Sequence, residues 1–284
     1  MPGAPAAAWS PPTPPFSPAQ RAAVRDRLLA AAADEPTVGA AVLLGSTATG
    51  TEDGWSDLDI AFGVIEPLPS ALERWTRFVD REFEALHHWD LPSGAAVYRV
   101  FLLTPALELD LSVTPLDQLA PRGPAWRPVF GAAAVPVPLE PERVDRLAGH
   151  AWHHALHAAS AIGRGHPLAA SHWIASLREQ VIALACRRAG LPTSYAKAAH
   201  LLPPGELAPL EASLVASLDE PELRRALDAA TRALLAELAR SDADLAARLA
   251  PALETCLGPS SRWRPGEAEQ AAGGAEQAAG GAER

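Results

Sequence analysis

Apolar positions follow two regimes along the chain. Up to about residue 138 they come in short runs. From about residue 141 they recur at helical spacing in long Ala/Leu/Arg stretches. The first segment with a sharp start is SPAQRAAVRDRLLAAAA. Ser17 stands at an N-cap, Pro18 at the first helical position and Gln20 three residues after the cap. This is a capping box with a proline whose missing N–H costs nothing there, and it predicts a helix to about Ala33. TVGAAVLLG is an apolar run rich in Val and Leu and reads as a buried strand. A small-residue loop from Gly45 to Trp55 then leads to SDLDIAFGVI, a second strand. PSALERWTRFVDREFEALHHW has helical periodicity throughout. AAVYRVFLLT and LELDLSVTP read as two more strands, joined by a tight turn around Thr104 and Pro105.

Helices are predicted over 141–163, 168–190, 206–217 and 220–240, with a shorter one near 242–256. GRGHP, AGLPTS, LLPPGE and LDEPE separate them. Strands and helices followed by helices alone predict an α/β (α+β) core over residues 17–138. An all-α helical bundle over 139–258 follows, with the boundary near VPVPLEPE. Residues 1–16 are Pro- and Ala-rich and residues 259–284 repeat EQAAGGA, so both segments are expected to be disordered.

Charge narrows the function classes. The net charge of −10 makes nucleic acid a poor partner, because phosphate backbones need a basic surface. A small anionic substrate in a locally basic pocket is compatible with it. No run of about 18 apolar residues suggests a membrane span, and the N-terminus lacks the basic and apolar regions of a signal peptide. Cys186 and Cys256 have no partner at CxxC spacing. A reducing, cytoplasmic location is therefore the expectation. Among 24 basic residues Lys197 is the only lysine.

The candidate chemistry lies in LGSTATGTEDGWSDLDIAF. On a strand, residues i and i+2 share a face, so Asp57 and Asp59 project together while Leu58 and Ile60 project into the core. Two adjacent carboxylates repel unless a cation lies between them. Hard oxygen ligands of this kind suit Mg²⁺, which keeps waters and bridges to substrate phosphates. In LELDLSV, Glu108, Asp110 and Ser112 share one face, and Leu107, Leu109, Leu111 and Val113 share the other. If the two strands are neighbours, three or four carboxylates converge into a two-metal type of site. Gly45 permits close backbone approach, and Ser46 can add a hydroxyl toward an anion. No GK[ST] is present, so this is not a P-loop. Glu52 and Asp53, inside the loop, are expected to be solvated and without a role.

The order G-S, about ten residues, D-h-D-h and a later strand acid resembles the nucleotidyltransferase superfamily of the DNA polymerase beta type. The motif covers residues 43–62, and Asp110 extends it across the core. The helical half resembles the small-molecule branch, the aminoglycoside and lincosamide nucleotidyltransferases, by architecture alone. The resemblance implies an antiparallel-containing α/β core, that is a mixed sheet, with two Mg²⁺ ions held by Asp57, Asp59 and Asp110 and a phosphate cradle at Gly45 and Ser46. It also implies transfer of a nucleoside monophosphate with loss of pyrophosphate. ATP is the default donor, and the acceptor is a hydroxyl of a small molecule bound between core and helical domain. Glu108 is the alternative third acid, a general base, or a solvated strand-end residue.

Relatives of this kind place a lysine after the second long helix, reaching the triphosphate, which points to Lys197. Tyr195 could stack on the base or sugar. An acid of the helical domain takes the acceptor proton in some such enzymes, which points to Glu179. A homodimer is a further expectation of the resemblance, since many relatives build sites across two subunits. Antibiotic resistance would follow from an aminoglycoside or lincosamide acceptor. A catalytically silent protein that keeps the core, or an enzyme that modifies a protein side chain, remains open as an alternative. His150, His153, His154 and His157 form one helical stripe without an acidic partner, expected to serve packing or a pocket lining rather than a metal.

Overall fold

The computed structural model describes residues 12–121, 123–132, 134–135 and 140–257, without the Cys256 side chain. The chain forms two compact units, Met1–Leu139 and Glu140–Arg284.

The first unit begins with α1, Pro18–Asp34. Its capping box is complete: the Gln20 amide donates to the Ser17 hydroxyl at 3.2 Å and the Ser17 amide to the Gln20 side chain at 2.7 Å. A six-stranded sheet follows. Its strands in chain order are β1 (Val38–Leu44), β2 (Leu58–Val64), β3 (Ala85–Ser93), β4 (Ala96–Leu103), β5 (Leu107–Pro115) and β6 (Trp126–Phe130). In space the order is β3-β4-β5-β2-β1-β6. β2 and β5 run parallel and the other neighbours antiparallel, so the sheet is mixed. The connections between strands hold the short α2, Gly45–Thr49, and α3, Leu68–Phe83, and a 3-10 turn at Leu116–Gln118 follows β5.

β1 and β2 are almost wholly apolar because they are covered on both faces, while β5 alternates its leucines and Val113 with Glu108, Asp110, Ser112 and Thr114. On one face Leu58, Ile60 and Phe62 join Leu107, Leu109, Leu111 and Val113, all buried, as the alternation requires. Leu28 and Ala32 of α1 and Trp75 and Val79 of α3 close this core, with the Phe62 and Trp75 rings 4.6 Å apart. Burying each large side chain here contributes roughly 1.5–3 kcal/mol. Of the N-terminal segment expected to be disordered, residues 12–16 are described, and Phe16 is buried in this core. The rest of that segment and residues 258–284 lie outside the described residues. On the other face Ala40, Val42, Ala61 and Leu119 form a smaller cluster.

Two elements differ from the sequence pattern. The helical pattern of 69–89 ends at Phe83. Glu84 turns left-handed at φ 52°, and Ala85–Ser93 form an edge strand. That strand is mostly exposed, so its side chains carry no alternation for a pattern to detect. β6 has no counterpart in the sequence pattern. It also lies at an edge and holds Pro128, which a ladder admits only there.

The second unit contains α4 (Val144–Gly163), α5 (Pro167–Arg188), α6 (Pro204–Glu211), α7 (Glu220–Ser241) and α8 (Ala243–Leu257). Its core gathers Ile174, Leu177, Val181 and Leu184 of α5 with Leu227, Leu234 and Leu238 of α7. Ala148, Ala151, Ala155 and Ala158 let α4 approach closely. Glu237 is 3% exposed and is held by Arg188, whose Nε lies 2.7 Å away, with Arg240 at 3.3 Å. Burial of this carboxylate is tolerable only with such partners. Among the described residues no helix is long and apolar enough to cross a membrane.

Candidate active site

β1 delivers the chain to Gly45, which opens α2 at φ +56°. The expected loop of 45–55 is thus a single helical turn followed by a loop. The Thr49 hydroxyl bonds back to the Gly45 and Ser46 carbonyls at 3.3 and 3.2 Å. Gly50, left-handed at φ 72°, closes the turn. A side chain at Gly45 would meet the Asp59 carboxylate: an ideal Cβ there lies 3.1 Å from Asp59 Cγ and closer still to Oδ2. The carboxylate therefore rests directly on the backbone at the start of α2. Only glycine satisfies both the positive φ and the contact.

β2 and β5 are neighbours, and their register sets Asp59 opposite Asp110. Both point to the face away from Leu58 and Leu109. In-register residues of a parallel pair stand about 4.8 Å apart and share a face. Both carboxylates are half-buried. Asp57, also half-buried, is the residue before β2 and is not held by the ladder. Glu108 is exposed and pairs with Leu102 of β4. Ser46 is half-buried in α2.

The expected convergence of three or four acids takes a looser form. Among the described residues no three His, Cys, Asp or Glu side chains are grouped so as to hold a metal ion. The reason is local: the ladder fixes Asp59 and Asp110, while Asp57 follows the loop. The donor set nevertheless fits Mg²⁺, which binds through one or two carboxylates together with waters and substrate phosphates rather than in an all-protein cage. The Gly45 backbone against Asp59 leaves that carboxylate in reach of a ligand on α2.

Glu52 is less solvated than the sequence suggested, and Asp53, solvated as expected, is nonetheless hydrogen-bonded within its loop. Glu52 is half-buried, accepts from the Thr47 hydroxyl at 3.1 Å and faces the Nε of Arg21 at 3.3 Å. Asp53 is exposed, but its carboxylate accepts from the Trp55 amide at 2.8 Å and the Ser56 hydroxyl at 3.1 Å. These bonds hold its carboxyl below the usual carboxylate range. Arg21 is itself 4% exposed. It had a sequence signal: it shares the buried stripe of α1 with Leu28 and Ala32, seven and eleven residues on, where a charge is out of place.

The remaining candidates belong to the second unit. Glu179 is an exposed residue of α5. Lys197 is exposed in the segment after α5 and follows two residues in the left-handed region, Tyr195 at φ 57° and Ala196 at φ 54°. Tyr195 is 77% exposed. Three of the four stripe histidines, His153, His154 and His157, pack around Trp173 of α5, with ring centroids 4.8 Å away for His157 and 5.3 Å for His154. Burial is the main influence lowering the His154 pKa. The neighbouring imidazoles act in the same direction, against the Ser176 backbone.

No family model matches the chain, and no curated protein matches it. Among solved structures it is similar to an aminoglycoside 6-adenyltransferase from Bacillus subtilis, at 14% identity and a TM-score of 0.30. The match covers 89% of this chain and 96% of that one. A likeness of that size leaves the reading of the site to its own residues.

Proposed function

We propose that this chain is a metal-dependent nucleotidyltransferase that moves a nucleoside monophosphate, AMP from ATP, onto a hydroxyl of a small molecule. The observation that carries the reading is the seating of Asp59: level with Asp110 on the neighbouring strand and flat against the Gly45 backbone. The spacing of Gly45-Ser46 from Asp57 and Asp59 supports it. Asp57, Asp59 and Asp110 would hold two Mg²⁺ ions, which neutralise phosphate charge and polarise the reacting centre when bound.

Within this reading Gly45 and Ser46 face the β and γ phosphates. The acceptor oxygen forms a bond to the α-phosphorus, the α–β bridging bond breaks, and pyrophosphate leaves. The acceptor proton passes to a carboxylate, for which Glu179 and Glu108 are the candidates; such a base must come within hydrogen-bond reach of the hydroxyl. Lys197 is assigned to the triphosphate and Tyr195 to the base or sugar on resemblance alone. The chain contributes mainly positioning and fixed charge. An aminoglycoside or lincosamide is the acceptor class proposed, which would make the protein a resistance enzyme.

The test uses labelled ATP, Mg²⁺ and a panel of aminoglycosides and lincosamides, reading label transferred to the acceptor. Asp59→Asn and Asp57→Asn should each lower turnover by about a hundredfold or more with an unchanged circular dichroism spectrum. Near-normal turnover in either variant removes the assignment. Stabilisation by ATP that depends on Mg²⁺ is expected in the native chain and lost in Asp59→Asn.

A further inference from the structure

We propose that Arg21 is a positioning residue for the acidic site: from the buried face of α1 it locks α2 and the peptide leading into Asp57 into one arrangement. This rests on the reading of Asp57 and Asp59 as metal ligands.

A guanidinium with 4% exposure is costly unless its donors are used. Nη1 and Nε of Arg21 both turn to one loop. Nη1 donates to the Asp53 carbonyl at 2.7 Å and to the Ser56 carbonyl at 2.8 Å, while Nε faces Glu52 at 3.3 Å. Two carbonyls three residues apart thus converge on one nitrogen and close residues 53–56 into a turn. The same turn is closed from outside by the Asp53 carboxylate and the Ser56 hydroxyl.

The Ser56 carbonyl is half of the planar peptide that joins Ser56 to Asp57. Fixing that oxygen fixes the plane from which Asp57 departs. The β2 ladder cannot do this, because it begins at Leu58. On the other side, the Glu52 oxygen that faces Arg21 also accepts from Thr47, which is 1% exposed in the middle of α2. One guanidinium is therefore bonded directly to the peptide before Asp57 and, through one carboxylate, to the turn that carries Gly45 and Ser46. A purely structural ion pair would need Glu52 alone. The two carbonyl bonds direct the guanidinium to the backbone that sets an acid, as outer partners of metal ligands do.

The test is Mn²⁺ binding to the full chain with ATP, followed by electron paramagnetic resonance, together with amide hydrogen exchange over residues 50–57 without ligand. Arg21→Lys keeps the charge but not the forked donors. It should weaken Mn²⁺ binding about 10- to 100-fold and speed loop exchange. Exchange in β1 and β5 should stay at the native rate. Glu52→Gln should fall between the two, and it decides the matter if Arg21→Lys does not fold. Native Mn²⁺ affinity in these variants overturns the proposal even where loop exchange is faster, since Arg21 would then only stabilise the loop. A native chain that binds no Mn²⁺ with ATP overturns the metal reading and this proposal together; tight native binding that both variants retain overturns this proposal alone.

Discussion

At the residue scale, Gly45 carries the most specific demand. It must hold φ +56° and leave room for the Asp59 carboxylate. Gly45→Ala should lose about 1–2 kcal/mol, the usual cost of the left-handed region for an L-residue, and nearly all transfer with it. Gly50 provides the control. Its φ is +72°, yet a Cβ there meets nothing within 4 Å. Gly50→Ala should lose similar stability in a urea melt and keep its turnover. Equal loss of turnover in both would mean that backbone strain, not the carboxylate contact, is what matters. Asp57, Asp59, Asp110 and Gly45 were all legible as candidates because their spacing is a property of the chain. Arg21 showed only as a charge out of place on an apolar stripe and Glu52 not at all, because their partnership joins α1 to a loop some thirty residues on.

At the element scale, α1 is both a cover for the sheet and the mount for Arg21, one turn after its cap. Ser17→Ala removes a cap bond and should cost about 1 kcal/mol in chemical denaturation. The same variant should exchange faster at the first-turn amides. An unchanged midpoint would show that the proline and the Arg21 bonds hold that end without the cap. Elements inside the sheet or with an explicit cap were readable in the sequence: α1, β1, β2, β4 and β5. Those at the sheet margins were not. β3 continues the polar spacing of α3 without a glycine or proline at the junction, and the left-handed Glu84 that breaks the helix has no residue-type signature. β6 is five residues long with a proline inside it, below what periodicity can register.

At the scale of the whole molecule, the second unit carries a histidine whose burial links stability to pH. His154 is packed beside Trp173 with His150, His153 and His157 on the same helix. Its folded pKa lies below the ordinary 6.5. As pH falls through about 6.5 the unfolded chain takes up a proton before the folded one does. This contribution to stability is therefore full above that value and lost as pH falls toward the folded pKa. The second unit should be less stable in urea at pH 5.5 than at pH 7.5. His154→Phe should reduce that difference; an equal drop in the variant would assign the acid sensitivity elsewhere. The division into an α/β unit and a helical unit followed from the change in hydrophobic period near residue 141. What no period could supply was strand order, and with it the pairing of Asp59 to Asp110.

That pairing has a consequence for how the protein comes into being. β2 and β5 are parallel, so they cannot meet through a short hairpin. The whole excursion through α3, β3 and β4 must be made before their ladder closes. Such long-range closure is the slow kind, because chain entropy is spent before the contacts reward it. A nascent chain that has emerged only as far as β4 can hold Gly45, Asp57 and Asp59, yet lacks the strand that brings Asp110. The two paired acids therefore arise together with the topology of the sheet: any cation that needs both of them recognises a folded unit and favours its completion over every partly assembled form.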